Sequence, residues 1–101
     1  MVTFTQRVAI APIGGGRLKE LEALVDAGAT YTWIPPSVLE ELGITSEEQL
    51  TFVPADGREA SYPIAQVRVR LDGRERFTIC VFGEEGTEPL LGAVTLEEFG
   101  L

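Results

Sequence analysis

The sequence contains no histidine, a single cysteine and a single lysine. Without histidine there is no Ser-His or Cys-His nucleophile pair and no imidazole-held metal. One cysteine excludes an intrachain disulfide and a thiolate zinc site. Cys80 lies in the apolar run Phe77-Thr78-Ile79-Cys80-Val81-Phe82, where a buried, unreactive thiol is expected. A Ser-Lys pair would have to use Lys19. No apolar run approaches the ~18 residues that span a bilayer. Residues 1–10 contain Gln6 and Arg7 and do not read as a signal peptide, so the cytoplasm is the default expectation. Cations are scarce too. Eight Lys and Arg against sixteen Asp and Glu give a net charge of −8, which repels phosphate backbones and argues against a nucleic-acid partner. Arg68, Arg70, Arg74 and Arg76 alternate along predicted strands and are expected on a solvated face. Whatever chemistry the chain carries falls to carboxylates.

What is present suits one domain spanning residues 1–101, with 45% apolar residues to build a core. Residues 2–11 read as a β-strand. Gly14-Gly15-Gly16 is a turn, and 18–25 return as the second arm of a hairpin, with a helix over 18–24 as the rival reading. Residues 30–34 are β-prone. Pro35-Pro36-Ser37 opens a short helix over 38–42 that Gly43 ends. Residues 50–54 and 60–71 are predicted strands around Asp56-Gly57, and Asp72-Gly73 joins the second of them to a strand over 75–82. Residues 83–88 form an acidic loop, Pro89-Leu90-Leu91-Gly92 a short buried strand, and 94–99 a second short helix. Val38-Leu39-Glu40-Glu41-Leu42-Gly43-Ile44 returns as Thr95-Leu96-Glu97-Glu98-Phe99-Gly100-Leu101, and Gly-Ala precedes each copy, at Gly28-Ala29 and Gly92-Ala93. This repeat suggests a pseudo-two-fold within the domain.

The chain has three aspartates. Asp56 and Asp72 each precede glycine at a predicted hairpin, where Asp suits the turn. Asp26 instead follows Leu24-Val25 and precedes Ala27-Gly28-Ala29, where a buried strand exits into a tight turn. A carboxylate there is costly unless hydrogen-bonded or shared, and Gly28 lets backbone N–H groups turn toward it. Two readings stay open from these residues alone: a local turn cap or a catalytic group. A carboxylate metal site at Glu84, Glu85 and Glu88 is the lesser reading of a solvated acidic loop.

The stretch from Leu24 to Pro35, with Asp26-Ala27-Gly28-Ala29 at its centre, resembles the active-site segment of retropepsin-like aspartic proteases. Pro89-Leu90-Leu91-Gly92 is similar to the family's second apolar-apolar-Gly element, and the hairpin from Phe52 to Tyr62 stands where the family carries its flap. The resemblance covers nearly the whole chain and looks closest to small stand-alone bacterial and archaeal members. It implies an all-β fold: a small closed or nearly closed β-barrel with one or two short helices. It also implies a homodimeric aspartic endopeptidase acting on peptide or protein substrates, with no cofactor, metal, nucleic acid or membrane involved. Asp26 would be the one catalytic carboxylate per subunit. Gly28, Ala29, Thr30 and Trp33 would contact substrate, as would Ala55, Asp56 and Gly57 at the flap tip and Leu90 and Leu91 beside the catalytic loop. Core packing is the competing reading for Trp33, Leu90 and Leu91.

Three departures from the family pattern stand out. Ala27 replaces the usual Thr or Ser, whose hydroxyl braces the two catalytic loops across the dimer axis. Thr30 and Ala93 replace a paired Asp and Arg. The family's further strand after the last helix has no counterpart after Leu101, so the expectation is a weak dimer, or one held another way. These departures motivate the alternative: a protease-fold domain that binds peptides or partners without cleaving them. A bland β-domain used for assembly, with Asp26 structural, is a third reading.

Overall fold

The computed structural model describes residues 4–53 and 57–101. Its first strand, β1 (Thr5–Pro12), pairs antiparallel with β2 (Lys19–Val25) across the triple-glycine turn. Strand therefore wins over helix at 18–24, because the apolar residues Leu21 and Ala23 alternate with Glu20, Glu22 on a two-residue period. A short β3 (Thr32–Ile34) leads into helix α1 (Pro36–Glu41). Next come β4 (Glu48–Phe52), β5 (Ala60–Leu71), β6 (Arg74–Phe82), β7 (Leu90–Leu91) and helix α2 (Ala93–Glu98). The strand read at 60–71 matches β5 to the residue. The Asp72-Gly73 hairpin has both turn residues at positive φ, 51° and 79°, and fixes Leu71 opposite Arg74.

Seven strands form one sheet in the order β1-β2-β7-β3-β6-β5-β4, and β1 also pairs with β5. Six of them therefore close into a ring, the closure expected of the small barrel, while β4 is appended to β5. The long β5 makes this possible by changing partners. Its first residues, Ala60 to Ile64, pair with β4, and Val67 to Arg70 pair with β1 on the same edge. Glu47 bridges the changeover, receiving a hydrogen bond from the Gln66 amide. Side chains that alternate inward from β5 (Ala65, Val67, Val69, Leu71) meet Val8, Ile10, Ile34, Leu39, Cys80, Leu91 and Phe99 in the core. Burial pushes the Cys80 thiol up to about 12, as suits an inert packing residue. Among the described residues no helix is long and apolar enough to cross a membrane.

The repeat seen in the sequence has a structural counterpart. Both helices are six residues long. Both end with the same cap: Gly43 N–H bonds to the Glu40 carbonyl and Ile44 N–H to Leu39, as Gly100 bonds to Glu97 and Leu101 to Leu96. Gly43 and Gly100 sit at φ 73° and 75°, the left-handed C′ conformation. With β4 set aside, exchanging β1-β2-β3-α1 with β5-β6-β7-α2 maps the pairing scheme onto itself. The parallel pair β2–β7 becomes β6–β3, and β3–β7 and β1–β5 map onto themselves.

The helices begin a little earlier than read, α1 at Pro36 and α2 at Ala93, and three further details differ from the sequence reading. The strand expected from residue 30 begins at Thr32, because the carbonyls of Ala29 and Thr30 already accept the amides of Ala93 and Val94 at the start of α2. The strand expected at 50–54 runs two residues earlier, as β4. The four arginines are not simply solvated. Arg68 keeps only 19% of its side-chain exposure and joins Arg70 on Glu75, whose carboxyl those hydrogen bonds, Arg70's first, hold below its usual value. Arg74 and Arg76 lie over the Phe99 ring and donate to the carbonyls of Phe99 and Glu98 at the end of α2, satisfying acceptors that a helix end leaves free.

Candidate active site

Asp26 leaves β2 where that strand runs parallel to β7, with Val25 beside Leu91. Its amide donates to the Leu91 carbonyl at 3.0 Å, and its carbonyl accepts the Ala29 amide at 3.1 Å. The carboxylate is half-buried, and its Oδ1 accepts the Gly28 N–H at 2.9 Å. A Cβ at position 28 would lie 3.1 Å from that oxygen, so glycine allows the amide to approach. The loop is then laced to the second half of the fold by Ala93 N–H on the Ala29 carbonyl (2.7 Å) and Val94 N–H on that of Thr30 (3.0 Å). Gly92 is required by this lacing, since a Cβ there would overlap the Tyr31 carbonyl.

Beneath the loop lies a feature the sequence did not announce. The hydroxyls of Thr32, Thr78 and Thr95 are buried and chained, Thr95 standing 2.6 Å from Thr32 and 2.8 Å from Thr78. Thr32 also accepts the Gly92 N–H at 3.2 Å. The chain ties β3, β6 and α2 together under the backbone that carries Asp26. Such a network fixes geometry because every polar member is satisfied, and no buried side-chain polar atom among the described residues is left without a partner.

The Asp26 loop divides two hollows. On one side a groove of about 400 Å³ is lined by Ala29, Trp33, Tyr62, Glu84, Thr87, Glu88 and Leu90. On the other an apolar hollow of about 440 Å³ is lined by Phe4, Gln6, Val25, Ala27, Leu96 and Leu101. A depression of about 230 Å³ between Arg7, Glu20 and Arg70 involves none of the loop's residues. The groove has an aromatic wall. Trp33 meets Tyr62 edge-on with ring centres 5.0 Å apart and lies 5.4 Å from Phe52, which meets Tyr31 in turn.

Of the residues named from sequence, Asp26, Gly28, Ala29, Trp33 and Leu90 gather at the loop and groove. Thr30 is adjacent and exposed. Leu91 turns inward and is fully buried, so of the two leucines only Leu90 reaches the groove. Gly57 is exposed at φ 80°, whereas Ala55 and Asp56 lie outside the described residues. Sequence reasoning missed Tyr62, Glu84, Thr87 and Glu88 as groove residues, and Phe52 as the ring packed behind Trp33 and Tyr62. Counting outward from Asp56-Gly57 would have paired Phe52 and Tyr62, which flank that predicted turn at nearly equal distance. Glu85 is taken up by Ser37, accepting its N–H at 2.6 Å and its hydroxyl at 2.9 Å. Lys19 is ion-paired to Glu41. Among the described residues no three His, Cys, Asp or Glu side chains converge on a metal position.

A family profile described as "gag-polyprotein putative aspartyl protease" matches residues 15–98. A solved structure of EIAV protease complexed with the inhibitor HBY-793 superposes with a TM-score of 0.69 at 17% identity, covering 98% of this chain and 89% of that one. No curated protein matches significantly.

Proposed function

Since the chain belongs to this family of gag-type aspartyl proteases and has the retroviral protease fold, we propose that it hydrolyses peptide bonds as a homodimer in which each protomer contributes Asp26. The observation that carries the reading is the Asp26 loop itself. A half-buried carboxylate is pinned by Gly28 N–H and backed by β7 and α2, with a groove on one flank and an apolar hollow on the other. The groove suits an extended peptide. The hollow, which includes Ala27, suits a second copy related by a two-fold axis beside the loop, the commonest symmetry of oligomers.

Two such carboxylates brought together repel one another when both are charged, so the working pair is one ionised and one protonated member. The ionised member takes a proton from a water as that water attacks the peptide carbonyl. The protonated member donates to the carbonyl oxygen, and the proton is later passed to the leaving amine. The hydrogen bond from Gly28 N–H orients the carboxylate for these transfers. Trp33, Tyr62 and Leu90 keep water from the adjoining surface of the peptide.

A second reading is favoured by Ala27, which supplies no hydroxyl to brace the two loops. The fold would then hold peptides without turning them over. One experiment separates the two. The parent chain, Asp26→Asn and Ala27→Thr are incubated with an unfolded protein substrate at acidic and neutral pH. Cleavage by the parent or by Ala27→Thr, lost in folded Asp26→Asn, is the expected result. Mixing parent with an equal amount of Asp26→Asn should leave about a quarter of dimers with both carboxylates, with activity falling accordingly. Cleavage that survives Asp26→Asn refutes the assignment, and a dimeric Ala27→Thr chain without turnover supports the binding reading.

A further inference from the structure

The groove beside Asp26 combines two features that are rarely useful together unless the ligand is an amphipathic cation. Its walls are apolar and aromatic: Ala29, Trp33, Tyr62 and Leu90. Its remaining lining includes two exposed carboxylates, Glu84 and Glu88. Among the described residues neither pairs with a cation, although ion pairs such as Arg7–Glu20 and Arg70–Glu75 form elsewhere. The loop that carries them is held in place. Gly83 N–H donates to the Ile34 carbonyl at 2.9 Å, and Gly83 packs closely against the Trp33 ring. Thr87 closes the turn by donating its hydroxyl to the Glu84 carbonyl at 2.6 Å. Glu85 anchors the loop to α1 through Ser37. The Tyr62 hydroxyl donates to Glu84 Oε1 at 3.3 Å and aims that carboxylate across the aromatic wall.

We propose that this groove is a subsite for a basic side chain of the bound peptide, arginine foremost. The inference deepens the peptide-binding reading of the Asp26 cleft and rests on it. A neutral apolar side chain would fill the walls but leave Glu84 and Glu88 partly desolvated and unpaired, which is unfavourable. An acidic side chain would be repelled. A basic one lays its methylene stem on Leu90 and Ala29 and brings its charge between the ring faces and the carboxylates. Arginine goes ahead of lysine because a planar guanidinium both stacks on Trp33 or Tyr62 and bonds a carboxylate through two N–H groups at once.

Trp33 is the only tryptophan in the chain and forms the groove wall, so its fluorescence reports occupancy without any need for cleavage. The measurement uses the full chain carrying Asp26→Asn, so that peptide is not consumed. Two short extended peptides of Val and Thr are titrated: one has a central arginine, the other a central citrulline and a terminal lysine that equalises net charge. The equal charge removes general attraction to a chain of net charge −8. The arginine peptide should bind about ten-fold more tightly, and raising the salt concentration should narrow the gap only partly, because it screens the exposed carboxylates but not the stacking on Trp33 or Tyr62. In the double variant Glu84→Gln, Glu88→Gln the preference should fall below about two-fold. The amide oxygen at position 84 still accepts from Tyr62, so the wall keeps its shape. Equal binding of the two peptides, a preference that persists in the double variant, or a Trp33 emission that neither peptide alters overturns the proposal. The same peptides given to the chain with Asp26 intact test the catalytic reading separately. Discrimination without cleavage leaves the subsite standing and removes proteolysis, and cleavage without discrimination does the reverse.

Discussion

Thr95→Val removes the centre of the buried hydroxyl chain while keeping its volume, and the cost can be worked from the bonds. Thr95 touches Thr32 at 2.6 Å and Thr78 at 2.8 Å, so two hydrogen bonds disappear, each worth about 1 kcal/mol net. The hydroxyls of Thr32 and Thr78, 0% and 2% exposed, cannot both find new partners. Each orphaned group adds a desolvation cost of roughly 1–3 kcal/mol where no water enters. These contributions total about 4–8 kcal/mol with nothing relaxed, and because Thr32 keeps the Gly92 N–H and the site relaxes in part, the expected loss is about 2–4 kcal/mol. Thr78→Val breaks one bond at the end of the chain and should cost about 1–2 kcal/mol. Replacing all three threonines with valine removes the orphaned hydroxyls and leaves only the Gly92 N–H unpaired, so the triple variant should be no less stable than Thr95→Val alone. Urea unfolding followed by Trp33 emission, at one fixed protein concentration, reads these values. The midpoint should fall with the slope unchanged, and Tm should drop by at least about 10 °C for Thr95→Val in a domain of this size. A loss below about 0.5 kcal/mol, or strictly additive single-site costs in the triple variant, would refute the network argument.

The other expectations concern backbone crowding and the buried thiol. Gly92→Ala should destabilise the fold by more than about 3 kcal/mol, because the new methyl overlaps the Tyr31 carbonyl and pushes α2 off the Asp26 loop; soluble, fully stable protein would count against the geometry. Cys80 should resist thiol reagents in the native state and react on unfolding. Because burial raises its thiol from the ordinary 9.0 to about 12, the unfolded chain loses its proton first as pH rises. This contribution to stability is therefore full below pH 9 and falls by about 1.4 kcal/mol per unit between 9 and 12. Stability curves for the parent and Cys80→Ala should converge over that range, and parallel alkaline slopes would contradict the burial argument.

How much could be read beforehand depended on how local the cause was. Asp72-Gly73 dictates a two-residue turn, and counting outward from it places Arg70 opposite Glu75, so even that ion pair was accessible from sequence. Gly43 and Gly100 end their helices for the same local reason. Asp26 could be singled out because a carboxylate after Leu24-Val25 is out of place unless something holds it. The threonine chain was not legible: Thr32 and Thr95 are 63 residues apart, and a threonine in a β-prone run is unremarked until the topology brings a second one to it. The late start of β3 has the same origin, since the carbonyls that would begin the strand are taken by α2. The groove wall fell between these cases. Phe52 and Tyr62 flank the predicted hairpin, but only the ring closure that seats β5 beside β6 and β6 beside β3 puts them against Trp33.

The pairing scheme that exchanges the two halves also shapes how the chain reaches its native state. The β1–β2 and β5–β6 hairpins each close over a short turn and can form early. The β2–β7, β3–β6 and β1–β5 pairings must then join residues dozens of positions apart, the slow part of folding for a sheet of this kind. Every one of those late pairings links one half to the other. A second copy offers the same edges in the same register, so two chains folding close together can complete each other's rings by trading halves. The segment that decides between closing alone and trading is β4 with the residues that lead into it from α1, because it brings the chain from its first half to its second.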